Sequence, residues 1–138
     1  MRTLNTLIRL KKDEVDKLKK ELAEMENRQQ VLKDEHNMLG ERLKSEAKFA
    51  SEFPESLAAF AEFTKKTLKR QEDLMRTIET MQAAIDKKRD QLQDAFGEQK
   101  KFEIVLEQRE LAKFEAAKKR EDKLMDEIAL RKINYTNN

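Results

Sequence analysis

Apolar side chains follow one another at alternating intervals of three and four residues through the first third of the chain. In a heptad written abcdefg they occupy positions a and d, and nine of the twelve such positions between Leu4 and Leu43 are apolar. A 3.5-residue period sustained over this length is typical of a coiled-coil seam. The pattern therefore predicts a first helix over about residues 3–50.

Three of the twelve seam positions are polar, namely Lys11, Gln29 and His36. Polar residues at a and d lower the stability of a coiled coil but restrict its register and its choice of partner. His36 is the only histidine in the chain, and there is no cysteine. Because no second imidazole or thiolate is present to share a metal, a register-setting role fits His36 better than a metal-binding one.

A single proline, Pro54, separates the first pattern from a second one. The residue before a proline avoids the α conformation, so the first helix should end by Glu52, with a bend at residues 51–54. Proline is favoured at the first position of a helix, which predicts a second helix from Pro54 to about Lys132 and a tail over residues 133–138. Its predicted seam consists of apolar residues interleaved with Thr64, Thr67, Gln71, Lys88 and Gln99. The apolar members are Leu57, Phe60, Leu74, Ile78, Met81, Ile85, Leu92, Ala95, Phe102 and Leu106.

Two glycines, Gly40 and Gly97, interrupt the helical patterns, and each costs about 1 kcal/mol relative to alanine. Either could mark a close approach between helices or a soft point. Gly40 could alternatively end a first sub-helix, with residues 41–50 forming a separate short one.

Two amphipathic helices joined by a short bend predict an all-α antiparallel coiled-coil hairpin, forming a single unit over residues 1–138. If the chain folds back at the bend, residue i faces roughly residue 107 − i, and His36 faces Gln71. The second helix then overhangs the first by about 27 residues, or about 40 Å. A lone helix with apolar side chains needs a surface to cover them, and the first helix also carries Leu7 and Leu10 off its seam. The open end of the hairpin is therefore predicted to be a docking end.

The composition fits solvated helices better than a globular core. Charged residues make up 42% of the 138 residues, hydrophobic residues 38%, and the mean hydropathy is −0.94. Lysine and arginine nearly balance the acidic residues at a net charge of +2, which argues against a nucleic-acid-binding protein. No apolar run approaches the length of a membrane span, and the N-terminus does not resemble a secretory signal. No phosphate-binding loop or catalytic constellation is found, so we expect no enzyme activity, cofactor or metal.

Four of the seven phenylalanines surround the bend: Phe49, Phe53, Phe60 and Phe63. They could seal the tip of the hairpin or form a contact patch for a partner. Phe63 lies off the seam and is the best candidate for exposure, while Leu39 on the first helix could contribute to the same patch.

Short motifs at both ends of the chain resemble those of the flagellar export stalk proteins, the FliJ family. The N-terminal motif is Leu4-x-x-Leu7-x-x-Leu10, followed by Glu14-Val15-Asp16. The C-terminal motif is Met125-Asp126-Glu127-Ile128-Ala129-x-Arg131. Chain length, the hairpin pattern and the long overhang match as well. The stalk protein of virulence type III secretion is the related alternative, and the N-terminal motif favours the flagellar family.

This resemblance implies a cytoplasmic stalk similar to the γ subunit of rotary ATP synthases, located peripherally at the inner membrane at the flagellar base. Its open end would enter the hexameric export ATPase, its side would contact the cytoplasmic domain of the export gate, and it would bind export chaperones. The partner ring, and not the stalk, would hydrolyse ATP. The residues that contact the gate would be Leu39, Phe60 and Phe63. The ATPase-docking residues would be Leu7, Leu10, Leu111, Phe114, Leu124, Met125, Asp126, Ile128 and Arg131.

The main alternative is a parallel homodimeric coiled-coil scaffold in which Pro54 merely kinks one long helix. Oligomeric state separates the two interpretations, because a stalk hairpin should be monomeric. A protein that binds nucleic acid or a membrane surface is a more distant alternative, and strong salt-dependent binding to DNA or anionic lipid would indicate it.

Overall fold

The computed structural model describes residues 2–136, which form two long helices joined by a short bend. Helix α1 spans Arg2–Glu52, a single 3₁₀ turn spans Pro54–Ser56, and helix α2 spans Leu57–Thr136. No strand occurs within the described range. The predicted all-α hairpin of two antiparallel helices is confirmed.

The bend follows from the local chemistry of proline. Phe53 leaves the α region at φ −126° and ψ 83°, as expected for a residue before proline, although its N–H still bonds to the carbonyl of Phe49 at 3.0 Å. Pro54 opens the 3₁₀ turn and not α2 itself, so the α-helix begins three residues later than predicted. Leu57, predicted on the seam, is 54% exposed, and the seam of α2 begins only at Phe60.

The first helix is continuous, as the main pattern predicts. Gly40 lies inside an uninterrupted α1, so the alternative in which a separate short helix follows it is excluded. Helix α2 continues past residue 132 to Thr136, whose hydroxyl donates to the carbonyl of Lys132 at 2.7 Å. The predicted tail is therefore helical over residues 133–136, where neither proline nor glycine stops the helix. Residues 137–138 lie outside the described residues.

Two compact units make up the chain, one of Glu14–Asp94 and one of Met1–Asp13 with Ala95–Asn138. The expected organisation as a single unit stays a prediction. In the unit of Glu14–Asp94, the seam buries Val15, Leu74, Ile78 and Ile85, and the Ile85 side chain is wholly enclosed. Full burial of an aliphatic side chain stabilises a fold by about 1.5–3 kcal/mol.

A buried amide fixes how the helices of this unit align. Gln29 is only 5% exposed, and its Nε2 donates to the carbonyl of Ile78 at 3.2 Å and to Oε1 of Gln82 at 2.9 Å. A buried polar group left without partners costs more than its hydrogen bond contributes, so a shift in register would be penalised. Gln29 is thus the polar seam residue with the clearest role in register.

Ion pairs line the edges of the seam in the same unit. Lys88 bonds to Glu21 at 2.8 Å, and this hydrogen bond holds the pKa of the Glu21 carboxyl below its usual value. Arg70 contacts both carboxylate oxygens of Glu35, at 3.0 and 3.1 Å. The four side chains are between 24% and 53% exposed and so keep partial contact with water, and each pair contributes modestly to stability while favouring the antiparallel register.

The unit that contains both chain termini has a shorter buried seam. Leu4, Ile8 and Ala95 are buried there, together with the polar Gln99. Lys11, a polar seam position, reaches outward to form an ion pair with Glu98, whose pKa is lowered mainly by that hydrogen bond. The apolar stem of Lys11 can therefore lie beside the seam while its ammonium group stays at the surface.

Candidate docking surface

The distal segment, defined as residues 107–136 of α2, is exposed at every position. Its large apolar side chains are between 48% and 88% exposed, which is unusual for a helix that contains so many of them. The predicted overhang of α2 is thus present. The exposed large apolar residues of the segment are Leu111, Phe114, Leu124, Met125, Ile128, Leu130, Ile133 and Tyr135.

The apolar pattern changes phase where the distal segment begins. Phe102 and Leu106 are half-buried on the seam, but the positions that continue their spacing are mostly charged, beginning with Arg109 and Lys113. Apolar residues continue on another face, which we call the outer stripe. At 3.5 residues per turn, the outer stripe lies roughly 150° around the helix from the seam. Its apolar members are Ile104, Leu111, Phe114, Met125, Ile128 and Tyr135.

Two members of the outer stripe are absent from the residues predicted for docking. Ile104 is 52% exposed although α1 covers neighbouring positions of the helix, and Tyr135 falls in the predicted tail. Their spacing of seven residues from Leu111 and Ile128, respectively, is the sequence signal that would have identified them. The heptad positions of the seam do not include this second stripe, because its phase is different.

The other residues predicted for ATPase docking are also exposed. Leu7 and Leu10 are 38% and 55% exposed, while their seam neighbours Leu4 and Ile8 are buried. Leu7 and Leu10 belong to the same compact unit as the distal segment. Asp126 and Arg131 are solvated on the distal segment itself. The structure therefore leaves these side chains accessible, and their assignment to docking stays a prediction.

The aromatic residues near the bend differ from expectation in their exposure. Phe63 is half-buried, and the guanidinium of Arg42 lies over its ring, 5.3 Å from the centroid. The expectation that Phe63 is the best candidate for exposure among the four phenylalanines at the bend is therefore wrong. Phe49 and Phe53 are the exposed pair, stacked with ring centroids 4.6 Å apart.

A shallow groove of about 250 Å³ lies beside these rings. Phe60 and Phe63 line it, whereas Leu39, also predicted for gate contact, is half-buried and does not. The complete lining is Arg42, Glu46, Phe49, Ala50, Ser56, Ala59, Phe60 and Phe63. A lining that is mostly apolar and aromatic, with one arginine and one glutamate, suits a protein side chain better than a small charged metabolite.

His36 and Gln71 lie opposite each other as the register predicted. The contact runs through the backbone, because Nε2 of Gln71 donates to the carbonyl of His36 at 3.1 Å and the imidazole is not involved. Gly40 also lies close to the Gln71 amide. The pairing depends on Gln71 and a backbone acceptor, and a register-setting role for the two residues stays a prediction.

The structure offers little for other kinds of site. Among residues 2–136, no group of three or more His, Cys, Asp or Glu side chains is arranged to hold a metal ion. Within the same range, no helix combines the length and apolar character that crossing a membrane requires.

Comparisons with known proteins identify the family of the chain. The profile of the family described as "Flagellar FliJ protein" matches residues 1–137. Curated flagellar FliJ proteins from two strains of Caulobacter vibrioides are each 34% identical over 130 residues, covering 92% of this chain and 91% of the relative. No solved structure is significantly similar to the chain. This agreement along nearly the whole sequence shows that the chain belongs to the flagellar FliJ family, with a role in flagellum biogenesis and protein export.

Proposed function

We propose that the protein is the central stalk and chaperone escort of the flagellar type III export apparatus. A single chain binds in the hexameric export ATPase through its open end and contacts the cytoplasmic domain of the export gate near its bend. It acts at the cytoplasmic face of the inner membrane, at the base of the flagellum, and reaches the membrane only through its partners. The chain itself catalyses no reaction, and ATP hydrolysis belongs to the ring.

The exposed apolar surface of the distal segment is the observation that carries this proposal. Helices of this length in water owe most of their stability to a buried apolar face, yet no described part of the chain covers this one. Exposed apolar patches of this kind mark protein–protein contacts. Leu7 and Leu10 extend the exposed apolar surface of the same unit.

The charge pattern of the distal segment suits a site inside a ring of identical subunits. Basic and acidic side chains are interleaved along it in short groups, for example Lys113 with Glu115 and Lys123 with Asp126. An even mixture gives no large field of one sign that would hold the helix against one subunit. Specific contact would then come from the apolar side chains.

The groove near the bend supports the proposed gate contact. Phe60 and Phe63 line it and the exposed Phe49 adds an aromatic wall, so a partner side chain could enter between them. Aromatic and arginine side chains are enriched among residues that dominate binding energy at interfaces. Arg42, which lies over Phe63, could pair with an acidic group of the gate.

Stimulation of the export ATPase tests the proposed docking end. Deletion of residues 107–138 should abolish stimulation while circular dichroism shows that the remaining hairpin stays helical. Leu111→Ser/Phe114→Ser should act in the same direction without shortening the chain. The matched control, Lys113→Ser/Glu115→Ser, changes polar neighbours and should leave stimulation near wild type. Unchanged stimulation after the deletion would refute the assignment.

Affinity for the cytoplasmic domain of the gate tests the second contact. Phe63→Ala should weaken binding by about 1–3 kcal/mol if the groove is the binding site. Leu68→Ala removes an exposed apolar side chain outside the groove and serves as the control. If Phe63→Ala binds the gate domain as tightly as wild type, the gate contact lies elsewhere on the chain.

A further inference from the structure

The outer stripe contains a symmetry that binding to an unrelated protein does not require. Its positions recur at intervals of three and four from residue 104 to residue 135, and ten residues occupy them. Six are the apolar members already named, and four are charged. The charged members are Glu107, Lys118, Glu121 and Lys132.

We propose that two copies of this chain pair antiparallel through their outer stripes. If the two-fold axis lies between positions 119 and 120, each stripe residue of one copy faces a stripe residue of the other. In every such facing pair, or layer, the two side chains are either oppositely charged or both apolar. Two layers are charged, with Lys118 facing Glu121 of the second copy and Glu107 facing Lys132 of the second copy. The remaining three layers are apolar on both sides. They join Ile104 to Tyr135, Leu111 to Ile128 and Phe114 to Met125, each across the two copies.

The geometry of antiparallel coiled coils supports this alignment. Residues 104, 111, 118, 125 and 132 form one heptad row, and residues 107, 114, 121, 128 and 135 form the other. Each proposed layer joins a residue of one row to a residue of the other, as the a and d rows meet when two helices run in opposite directions. The contact would be about 46 Å long, which exceeds four heptads.

The positions that flank the stripe are consistent with reversible pairing. Glu110 of one copy would lie near Arg131 of the other, and Ala117 near Leu124, which are favourable contacts. On the opposite edge, Glu115 would lie near Asp122 of the second copy, and like charges at this distance oppose association. A contact with mostly favourable layers and one repulsive edge should form and dissociate readily.

The structure leaves this face free for a second helix. Every apolar member of the outer stripe is about half-exposed or more, including Ile104, which lies in the part of α2 that still contacts α1. Because the stripe and the seam lie on different faces of α2, a second copy could cover Ile104 without displacing α1.

This pairing goes beyond the proposed stalk function and does not depend on it. The pairing would cover the face proposed to bind the ATPase, so a paired chain could not dock in the ring. The dimer would then store unassembled chains with their outer stripes covered. Since the test needs only the purified protein, its failure would leave ATPase docking untouched, and a failure of docking would leave the pairing untouched.

Charge exchange at the central layer tests the pairing, with sedimentation equilibrium as the measurement. Wild type should dimerise as its concentration is raised over about a hundredfold range. Lys118→Glu alone and Glu121→Lys alone place like charges opposite each other, so each should dimerise at least about tenfold more weakly. A mixture of the two single variants restores opposite charges in both central layers and should form a heterodimer of near wild-type affinity.

A matched control separates pairing from general effects of charge. Lys123→Glu makes the same charge change as Lys118→Glu in the same segment but lies off the outer stripe, and it should dimerise like wild type. Circular dichroism verifies equal helicity of all variants. A wild-type chain that stays monomeric throughout the range would overturn the proposal and leave the stripe to another partner. So would a dimer that neither single variant weakens, or a mixture of the two that fails to associate.

Discussion

Ile85 and Ile128 lie on the same helix, within apolar patterns of the same period, yet their environments are opposite. Ile85 is fully enclosed in the unit of Glu14–Asp94, whereas Ile128 is 48% exposed on the distal segment. Periodicity therefore identifies a face that needs to be covered, and it does not say which molecule covers it. The apolar residues of the seam are covered within the chain, whereas those of the outer stripe need another molecule to cover them.

Alanine substitution at the two isoleucines should produce the largest difference between these regions. Ile85→Ala leaves a cavity in a fully packed seam and should lower the free energy of unfolding by about 2–5 kcal/mol. Ile128→Ala removes a half-exposed side chain and should change it by less than about 0.5 kcal/mol. Urea titration followed by circular dichroism measures both, at a protein concentration low enough to keep the chain monomeric.

The isoleucine comparison can fail in a clear way. Equal destabilisation by the two substitutions would show that the distal segment is buried in the isolated protein. Leu111→Ala, at another exposed position of the outer stripe, provides a second measurement of the same quantity and should agree with Ile128→Ala.

Alanine substitution at the two glycines should give a smaller difference in the free energy of unfolding. A Cβ atom at Gly97 would meet no neighbour, so Gly97→Ala should raise the free energy of unfolding by about 1 kcal/mol through helix propensity alone. At Gly40 the added Cβ would lie 3.3 Å from Nε2 of Gln71, which is already bonded to the carbonyl of His36. Gly40→Ala should therefore gain clearly less than Gly97→Ala in the same urea titration, and a larger gain would show that the Gln71 amide moves aside freely.

Acidification should cause the smallest change in stability, and only where a carboxylate is hydrogen-bonded to a lysine of the other helix. The pKa of Glu21 and that of Glu98 are held below the ordinary carboxyl value by hydrogen bonds from Lys88 and Lys11. A lowered folded-state pKa adds stability that is present above the unfolded value and is lost as pH falls through the folded value. Thermal unfolding should therefore show declining stability as pH falls below about 4.5.

Substitution of a paired carboxylate isolates this contribution. Glu21→Gln should flatten the decline in melting temperature with falling pH, whereas Glu115→Gln in the distal segment should leave the wild-type profile. Because the Glu21 and Lys88 side chains stay partly exposed, at 35% and 24%, 1 M salt should also reduce the difference between Glu21→Gln and wild type. A Glu21→Gln profile parallel to that of wild type would contradict the role of the Lys88 hydrogen bond.

The repeat of apolar residues and a single proline were sufficient to predict the fold. They gave two antiparallel helices, the bend near Pro54 and the overhang of α2, because heptad spacing and proline geometry act locally. The register was predicted correctly at His36 and Gln71, since the short bend leaves little freedom in how the helices align.

Features that depend on several side chains at once were harder to predict. The cover over Phe63 comes from Arg42 on the other helix, and no periodicity specifies a cation–π contact. The role of Gln29 requires two acceptors on α2 at the right depth. The seam pattern predicts only part of the outer stripe, because the apolar members of the stripe change phase relative to the seam and two charged pairs interrupt them.

An uncovered helix also determines where the chain is vulnerable. Residues 107–136 owe their helical structure to local interactions, so they should open far more often than the seam and expose Lys118, Lys119 and Arg120 to trypsin. Any occupant of the outer stripe would hold these peptide bonds in the helix and protect them. The lifetime of the distal segment in the cell would then report how much of the protein has its outer stripe occupied, whether by the ring or by a second copy, since chains with an empty stripe would lose that segment first.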